Sequence, residues 1–242
     1  MTTYTCYSGS DEVEKIYNES DKIYYIYKKD QLVWRAKRYN KGETVFENST
    51  GISTSVYLDD GYYDIICVGG GGAAAMRGVY DDKGYGWGGG SGGAFVGRFS
   101  IPKGIYNVVV GTANNNTKAQ TSNTQTSNPD DTSTHDSYID GVVLCGGGGS
   151  GHYNTNYVGA AGASPVLTLT PVSTTLNTAG NAGSYNTGGK GSAAAATCAG
   201  GASVYQDYGR GQGCKTSEYY KKRSWINGTA GYIKIVYVED NE

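Results

Sequence analysis

Proline, phenylalanine, methionine and histidine are scarce here: 4, 3, 2 and 2 residues in a chain of 242. So few prolines, with no Gly-X-Y period, exclude a collagen triple helix. With so little Phe and Met, an apolar interior has to be built from Val, Ile, Leu and Tyr. The two histidines, His135 and His152, have no metal-ligand spacing, and each reads as a surface residue. No apolar run approaches the roughly 20 residues that a spanning helix needs, so no membrane insertion is expected. The start, Met1-Thr2-Thr3-Tyr4-Thr5-Cys6, lacks a basic region followed by an apolar core, so synthesis in a cytoplasm without a signal peptide is expected. Charged residues make up 17% and the net charge is -2. That balance excludes a charged disordered tail and gives no broad positive surface for nucleic acid.

Glycine and tyrosine fill the space these absences leave. There are 39 glycines, more than twice the usual share of about 7%, and 23 tyrosines. Glycine costs more backbone entropy to order than any other residue, so blocks of it need a structural reason. Twice a short apolar strand runs straight into such a block: Ile65-Ile66-Cys67-Val68 into Gly69–Gly72, and Val142-Val143-Leu144-Cys145 into Gly146–Gly149. A third block, Gly88-Gly89-Gly90-Ser91-Gly92-Gly93, leads into Ala94-Phe95-Val96-Gly97-Arg98-Phe99. The blocks imply either backbones packed at a distance no Cβ allows, or loops free to vary.

Residues 1–50 are glycine-poor and charge-rich. Lys22–Lys28 and Gln31–Arg35 around Lys29-Asp30 read as a β-hairpin, Lys41-Gly42 as a turn, and Glu43–Glu47 as a half-buried strand. This module either docks onto a larger assembly or adds strands to the main sheet. Residues 51–242 form the glycine-rich β domain, its strands spaced as in a sandwich. Asp59-Asp60-Gly61 reads as a tight hairpin turn and Pro102-Lys103-Gly104 as another turn. The expected fold is all-β: a glycine-rich sandwich preceded by a small β module. No window has helical periodicity. Two long excursions interrupt the strands, at 114–136 and 146–213. The composition of the second suggests disorder or, alternatively, extended three-residue-per-turn polyglycine helices bonded to one another.

The catalytic and binding motifs are weak. Gly209-Arg210-Gly211-Gln212-Gly213-Cys214-Lys215-Thr216 has Cys214 where a phosphate-binding loop needs glycine, and no helix opens after the blocks at 69–72 and 146–149. Carboxylates occur mainly in turn pairs such as Asp81-Asp82, with no pair distinguished for glycoside hydrolysis. Lys221-Lys222-Arg223, beside Tyr219-Tyr220 and Trp225, reads as a solvated turn before the last strand. No cofactor and no metal site is expected. Among the 5 cysteines there is no CxxC. Cys67 and Cys145 read as small hydrophobes within strands. Cys198 and Cys214 flank a glycine-rich stretch and are candidates to pair, although a reducing compartment is the simpler assumption. The aromatic residues between glycines carry the site expectation: Tyr80, Tyr85, Trp87, Tyr153, Tyr157, Tyr205 and Tyr208, clustered at one end of the fold away from residues 1–50. The competing reading is that these rings fill gaps that glycine leaves.

The serial order of these features resembles the glycine-rich domains of tail fibres and adhesins of tailed bacteriophages. It rests on Cys67–Gly72, Gly88–Gly97, Gly104-Ile105-Tyr106-Asn107-Val108-Val109-Val110-Gly111, Cys145–Gly149 and Gly228–Tyr237, and covers roughly residues 51 to 238. The lead-in from Lys15-Ile16-Tyr17 to Leu32-Val33-Trp34 resembles modules that precede such domains. The resemblance implies a non-enzymatic virion appendage subunit, joined to other virion fibre or tail proteins through residues 1–50. Its Tyr/Gly/Asn-rich loops would meet a host-surface receptor, polysaccharide or protein, and analogy with other fibres implies a homotrimer. The alternatives are a purely structural virion protein and a surface-polysaccharide depolymerase. Shorter glycine runs and the 114–136 loop depart from the fuller pattern, which favours an ordinary sandwich with glycine-rich loops over a polyglycine-helix sandwich.

Overall fold

The computed structural model describes residues 2–8, 11–19, 22–28, 31–35, 39–80, 83–113, 135–151, 158–187, 197–198, 200–212, 214–215, 223–226 and 228–240. For 2–35, 75–85, 186–187, 197–198, 214–215 and 223–226 it describes the backbone alone. The chain divides into two units, Met1–Glu43 and Thr44–Glu242. In the first, β1 (Thr2–Ser8), β2 (Asp11–Glu19), β3 (Lys22–Lys28) and β4 (Gln31–Arg35) form a four-stranded antiparallel sheet in chain order. The expected hairpin is its last, with Lys28 opposite Gln31. The strand β5 (Thr44–Asn48) pairs with the final strand and belongs to the second unit.

Two five-stranded antiparallel sheets make the sandwich. The first has the order β15 (Ser173–Thr178), β10 (Ala94–Ile101), β7 (Gly61–Val68), β20 (Tyr232–Glu239), β5. The second has the order β14 (Val166–Leu167), β13 (Val143–Cys145), β12 (Ser137–Ile139), β11 (Gly104–Val110), β6 (Ile52–Leu58). Alternation along each strand decides which face is buried. In β7, Tyr63, Ile65 and Cys67 are fully buried while Tyr62, Asp64 and Ile66 are half-buried. Phe95 and Phe99 of β10, Ile233 and Ile235 of β20, Val108 and Val110 of β11, and Ile139 of β12 complete the core. Phe95 and Phe99 pack ring to ring at 5.1 Å. The thiol of Cys145 donates to the Cys67 carbonyl (3.1 Å) and that of Cys67 to the Ser137 carbonyl (3.3 Å), so both cysteines are core residues with satisfied donors. Burial pushes the Cys145 thiol well above its ordinary value.

The Asp59-Asp60-Gly61 hairpin does not form. β6 and β7 lie in different sheets, as do β10 and β11, so both connections are arches across the sandwich. β7 pairs instead with β10 (Gly61 opposite Ile101) and β6 with β11 (Leu58 opposite Gly104). The Lys103 N–H donates to Asp60 Oδ1 (2.7 Å) and ties the two arches, while the Tyr63 hydroxyl donates to the Asp59 carbonyl (3.0 Å) within the first. A turn sequence between alternating strands does not tell a hairpin from an arch. The β12–β13 turn at Asp140-Gly141 is a true hairpin, with Gly141 at φ 71°.

The glycine blocks are not loops, and here the preference for an ordinary sandwich is overturned. In the stretch 88–93 the N–H groups of Gly88 and Ser91 donate to Ser184 and Asn181. Those of Gly89 and Gly92 donate to Gln212 and Gly209, and those of Gly90 and Gly93 to Gly149 and Gly146, all at 2.8–3.1 Å. On the acceptor side, Gly90 and Gly93 take the N–H of Gly72 and Gly69, Gly88 and Ser91 take Gly159 and Gly162, and Gly89 takes Gly201. Partners therefore repeat every three residues, and one stretch is bonded to six neighbours. A β-strand, with a period of two, bonds to only two neighbours. Three residues per turn is the repeat of the left-handed polyproline-type helix. Positive φ among the described glycines is confined to Gly42, Gly51, Gly141 and Gly209, so 88–93 lies on the side of the map where that helix is found.

Only glycine permits this spacing. A Cβ on Gly90 would stand 1.8 Å from the Ala160 oxygen, and one on Gly72 1.9 Å from the Gly149 oxygen. With Cα–Cβ about 1.5 Å, such oxygens lie at most about 3.3–3.4 Å from the glycine Cα, as close as a Cα–H···O contact. Stretches at the rim need glycine only once per turn. Gly159 and Gly162 flank exposed Ala160 and Ala161, and Gly180 and Gly183 flank exposed Asn181 and Ala182.

Candidate functional site

The lattice joins the sandwich to an outer sheet. That sheet has the order β16 (Tyr185–Thr187), β9 (Lys83–Trp87), β8 (Ala74–Tyr80), β19 (Arg223–Ile226). Stretch 179–184 runs from β15 to β16, 88–93 from β9 to β10, 69–73 from β7 to β8, and 228–231 leads into β20 from the β19 side. The first sandwich sheet runs β15-β10-β7-β20 and the outer sheet β16-β9-β8-β19. Four chains thus pass through the lattice and keep their lateral order. A two-stranded ribbon, β17 (Thr197–Cys198) with β18 (Cys214–Lys215), lies against β8, β9 and β16. The described residues flanking segments 81–82, 152–157, 188–196 and 216–222 all belong to this outer end.

The expected aromatic cluster divides. Tyr80 and Tyr85 fall on β8 and β9, Tyr80 opposite Lys83 and Tyr85 opposite Arg77 on one side and Thr187 on the other. Trp87 is 2% exposed, with the Tyr185 ring 5.6 Å away. It fills the end of the lattice and offers no face to a receptor, which corrects its place among the binding residues. Tyr185, 38% exposed and opposite Trp87, presents the outward ring of this pair. Its sequence signal is the Gly183-Ser184-Tyr185 step, an aromatic placed just after the last lattice glycine of its stretch. Tyr153 and Tyr157, like His152, lie outside the described residues.

Tyr205 and Tyr208 sit at the opposite end. The turn that carries them, with Gln206 at φ 48°, is followed by Gly209, whose missing Cβ faces the Gly69 oxygen and Val68. Tyr208 stacks on Tyr232 with ring centres 4.1 Å apart and planes 4° from parallel; Tyr205 lies 6.5 Å from the same ring. Together with Val68, Ala94, Leu176 and Val204 they form an apolar cluster on the first sandwich sheet. Among the described residues, Trp87 is buried while Tyr205 and Tyr208 are half-buried over Tyr232, so these three do not share one surface. Beneath Tyr208, the Tyr232 hydroxyl donates to Glu47 (2.6 Å) and Lys234 pairs with the same carboxylate (3.1 Å). The Tyr232 hydrogen bond, then Lys234, lowers the Glu47 pKa; burial and the bond to Glu47 raise that of Tyr232.

His135 is not a surface residue. It is 4% exposed, its Nδ1 lies 2.9 Å from the Thr112 oxygen, and its carbonyl accepts the Gly70 N–H at 2.6 Å. Arg223 is not in a turn either: it opens β19, opposite Arg77 of β8. Lys221, Lys222 and their aromatic neighbours Tyr219 and Tyr220 lie outside the described residues, as do Asp81, Asp82 and most of the 114–136 segment. Among the described residues no group of three or more His, Cys, Asp or Glu is placed to hold a metal ion. What the described residues offer here is a shape, an outer sheet fixed in order by backbone bonds.

The chain matches no curated protein and no solved structure. A family model described as a glycine-rich domain matches residues 48–237, which spans the sandwich, the lattice and the outer sheet. The chain therefore belongs to the glycine-rich domain family.

Proposed function

We propose that this chain is a non-enzymatic appendage subunit, a fibre or adhesin component of a tailed-bacteriophage virion, which attaches to a host surface through the outer end of the lattice. The supporting observation is the order-preserving passage of four chains from sandwich to outer sheet. Backbone bonds hold that sheet in place, so the connections beyond it are free to vary in sequence without loss of the scaffold. Binding surfaces are commonly built in this way, as variable loops on a rigid frame. Tyrosine among glycine, asparagine and serine is the composition of adaptable recognition loops. In this reading residues 1–50 join the chain to other fibre or tail proteins, a homotrimer is the working assembly, and Tyr80, Tyr85, Tyr153 and Tyr157 contribute contacts.

The test is binding of the purified full chain to candidate host cells. Replacing segments 152–157 and 188–196 with Gly/Ser sequence is expected to lower affinity at least about 10-fold while the thermal midpoint holds. Alanine at Tyr205 or Tyr208 should leave binding unchanged. Binding that survives both replacements overturns the reading. No cell binding, combined with tight association with another virion protein, establishes the purely structural alternative. Sugar release from host capsule establishes the depolymerase.

A further inference from the structure

We propose that Cys198 and Cys214 form a disulfide that closes the 198–214 segment beside the outer sheet. The proposal rests on backbone placement and is independent of the attachment reading. β17 and β18 are antiparallel and Cys198 stands directly opposite Cys214, with Thr197 opposite Lys215 on the next rung. Directly opposed residues of an antiparallel pair share a face, with Cα atoms about 4.5–5.5 Å apart, within the roughly 4.4–6.8 Å that a disulfide spans.

The lattice fixes both approaches to this rung. Gly201 donates to the Gly89 oxygen (2.8 Å), Gly211 to the Gly201 oxygen (3.0 Å) and Gln212 to the Gly72 oxygen (3.1 Å). Cys198 thus stands three residues before clamped Gly201, and Cys214 two residues after clamped Gln212. A ribbon of only two rungs is marginal in water, so a covalent rung supplies what its hydrogen bonds cannot. The other cysteines are placed differently. Cys67 and Cys145 are fully buried and donate to carbonyls, while Cys6 stands opposite Val13 in the first unit.

The reaction is thiol–disulfide exchange with a small-molecule disulfide such as oxidised glutathione. One cysteine, as thiolate, attacks a glutathione sulfur and expels a glutathione thiolate, leaving a mixed disulfide. The second cysteine thiolate attacks the protein sulfur of that bond and expels the second glutathione. Two protein thiols are oxidised, one glutathione disulfide is reduced to two thiols, and the protein protons pass to the released thiolates. The rung therefore opens in a reducing cytoplasm and closes in an oxidising medium.

The full chain, reduced and then incubated with oxidised glutathione, is unfolded, alkylated and mapped by mass spectrometry. The expected result is three alkylated cysteines of the five and a linked peptide pair containing Cys198 and Cys214. Oxidation should also raise the thermal midpoint by about 5–10 °C. In C198S/C214S that midpoint should not respond to glutathione, and C6S should retain the full response. Five alkylated cysteines after oxidation, linkage in any other pairing, or only separate glutathione adducts at Cys198 and Cys214 overturns the proposal. The peptide map of the native sequence decides even where a variant fails to fold.

Discussion

The sandwich and the lattice are consecutive parts of the same chains, yet they are held together by different means. In the sandwich, Tyr63, Phe95, Phe99, Ile101 and Ile235 are fully buried, and the hydrophobic effect carries the stability. In the lattice there is little side chain to bury. Its interior is N–H to carbonyl bonding, repeated every three residues, between stretches whose approach distance excludes a Cβ. A net gain of about 0.5–1.5 kcal/mol per hydrogen bond is set against the high ordering cost of glycine, so the lattice gains little as an isolated element. It persists because strands anchor both of its ends. Lattice positions that face a neighbouring backbone oxygen have no room for a Cβ, whereas a sandwich core can partly relax around a changed side chain, which makes the lattice the more specific of the two.

The strongest way to break this comparison is to add one methyl group. Gly90→Ala places a Cβ 1.8 Å from the Ala160 backbone oxygen, where no rotamer offers relief. We expect a loss of at least about 5 kcal/mol, the range of exceptional single substitutions, seen as absence of a cooperative urea transition in soluble material. A cost near 1 kcal/mol would mean that the stretches can slide apart, and the lattice would then be a set of loops after all. Next in size is Phe99→Ala in the sandwich, which removes a fully buried ring packed 5.1 Å from Phe95. The expected cost is about 3–5 kcal/mol with the transition still cooperative, because a cavity can partly relax where a backbone collision cannot.

These two substitutions also show which parts of the structure were legible from the sequence. The strand runs Ile65–Val68 and Ala94–Phe99 fall within β7 and β10, because each strand has one face on a core. Pairing was not legible: Asp59-Asp60-Gly61 has hairpin chemistry but makes an arch, and only tertiary contact separates the two. The lattice is hardest to read because its signal is spread along the chain. Gly159/Gly162, Gly180/Gly183 and Gly228/Gly231 are each a single turn of a three-residue helix, trivial alone and meaningful only when stacked on 88–93. The described aromatic residues divide for a related reason. Composition shows that a tyrosine lies among glycines, but not whether it follows the lattice outward, as Tyr185 does, or caps its inner end, as Tyr208 does. His135 misled because a polar neighbourhood in sequence concealed a backbone carbonyl that Gly70 requires.

A third substitution sharpens the contrast by putting the same methyl where space is free. A Cβ at Gly141 meets nothing within 4 Å, but the residue sits at φ 71° in the β12–β13 turn. Gly141→Ala should cost about 1–2 kcal/mol, the price of left-handed backbone without a collision. Equal costs for Gly90→Ala and Gly141→Ala in the same denaturation series would show that backbone conformation, and not close approach, is what glycine provides in both places.

The smallest expected effect tests where sensitivity to pH resides. Lattice bonds join amides to carbonyls and do not titrate, so acid should act through side chains on the sandwich. Glu47 on β5 accepts the Tyr232 hydroxyl at 2.6 Å and pairs with Lys234 at 3.1 Å, and these lower its pKa in the folded protein below the ordinary 4.5. As pH falls below that ordinary value the unfolded chain takes up the proton first. The contribution of Glu47 is therefore complete above about pH 4.5 and is lost as pH drops through the lower folded-state value. The carboxylate is 46% exposed, so solvent and salt screen it and the effect stays below that of the other three substitutions. Glu47→Gln keeps an oxygen for the Tyr232 hydroxyl but removes the charge. Its thermal midpoint should fall less steeply than that of the native sequence between pH 5 and pH 3, and the difference should shrink in 0.5 M salt. Identical slopes would show that Glu47 contributes a hydrogen-bond acceptor and no charge.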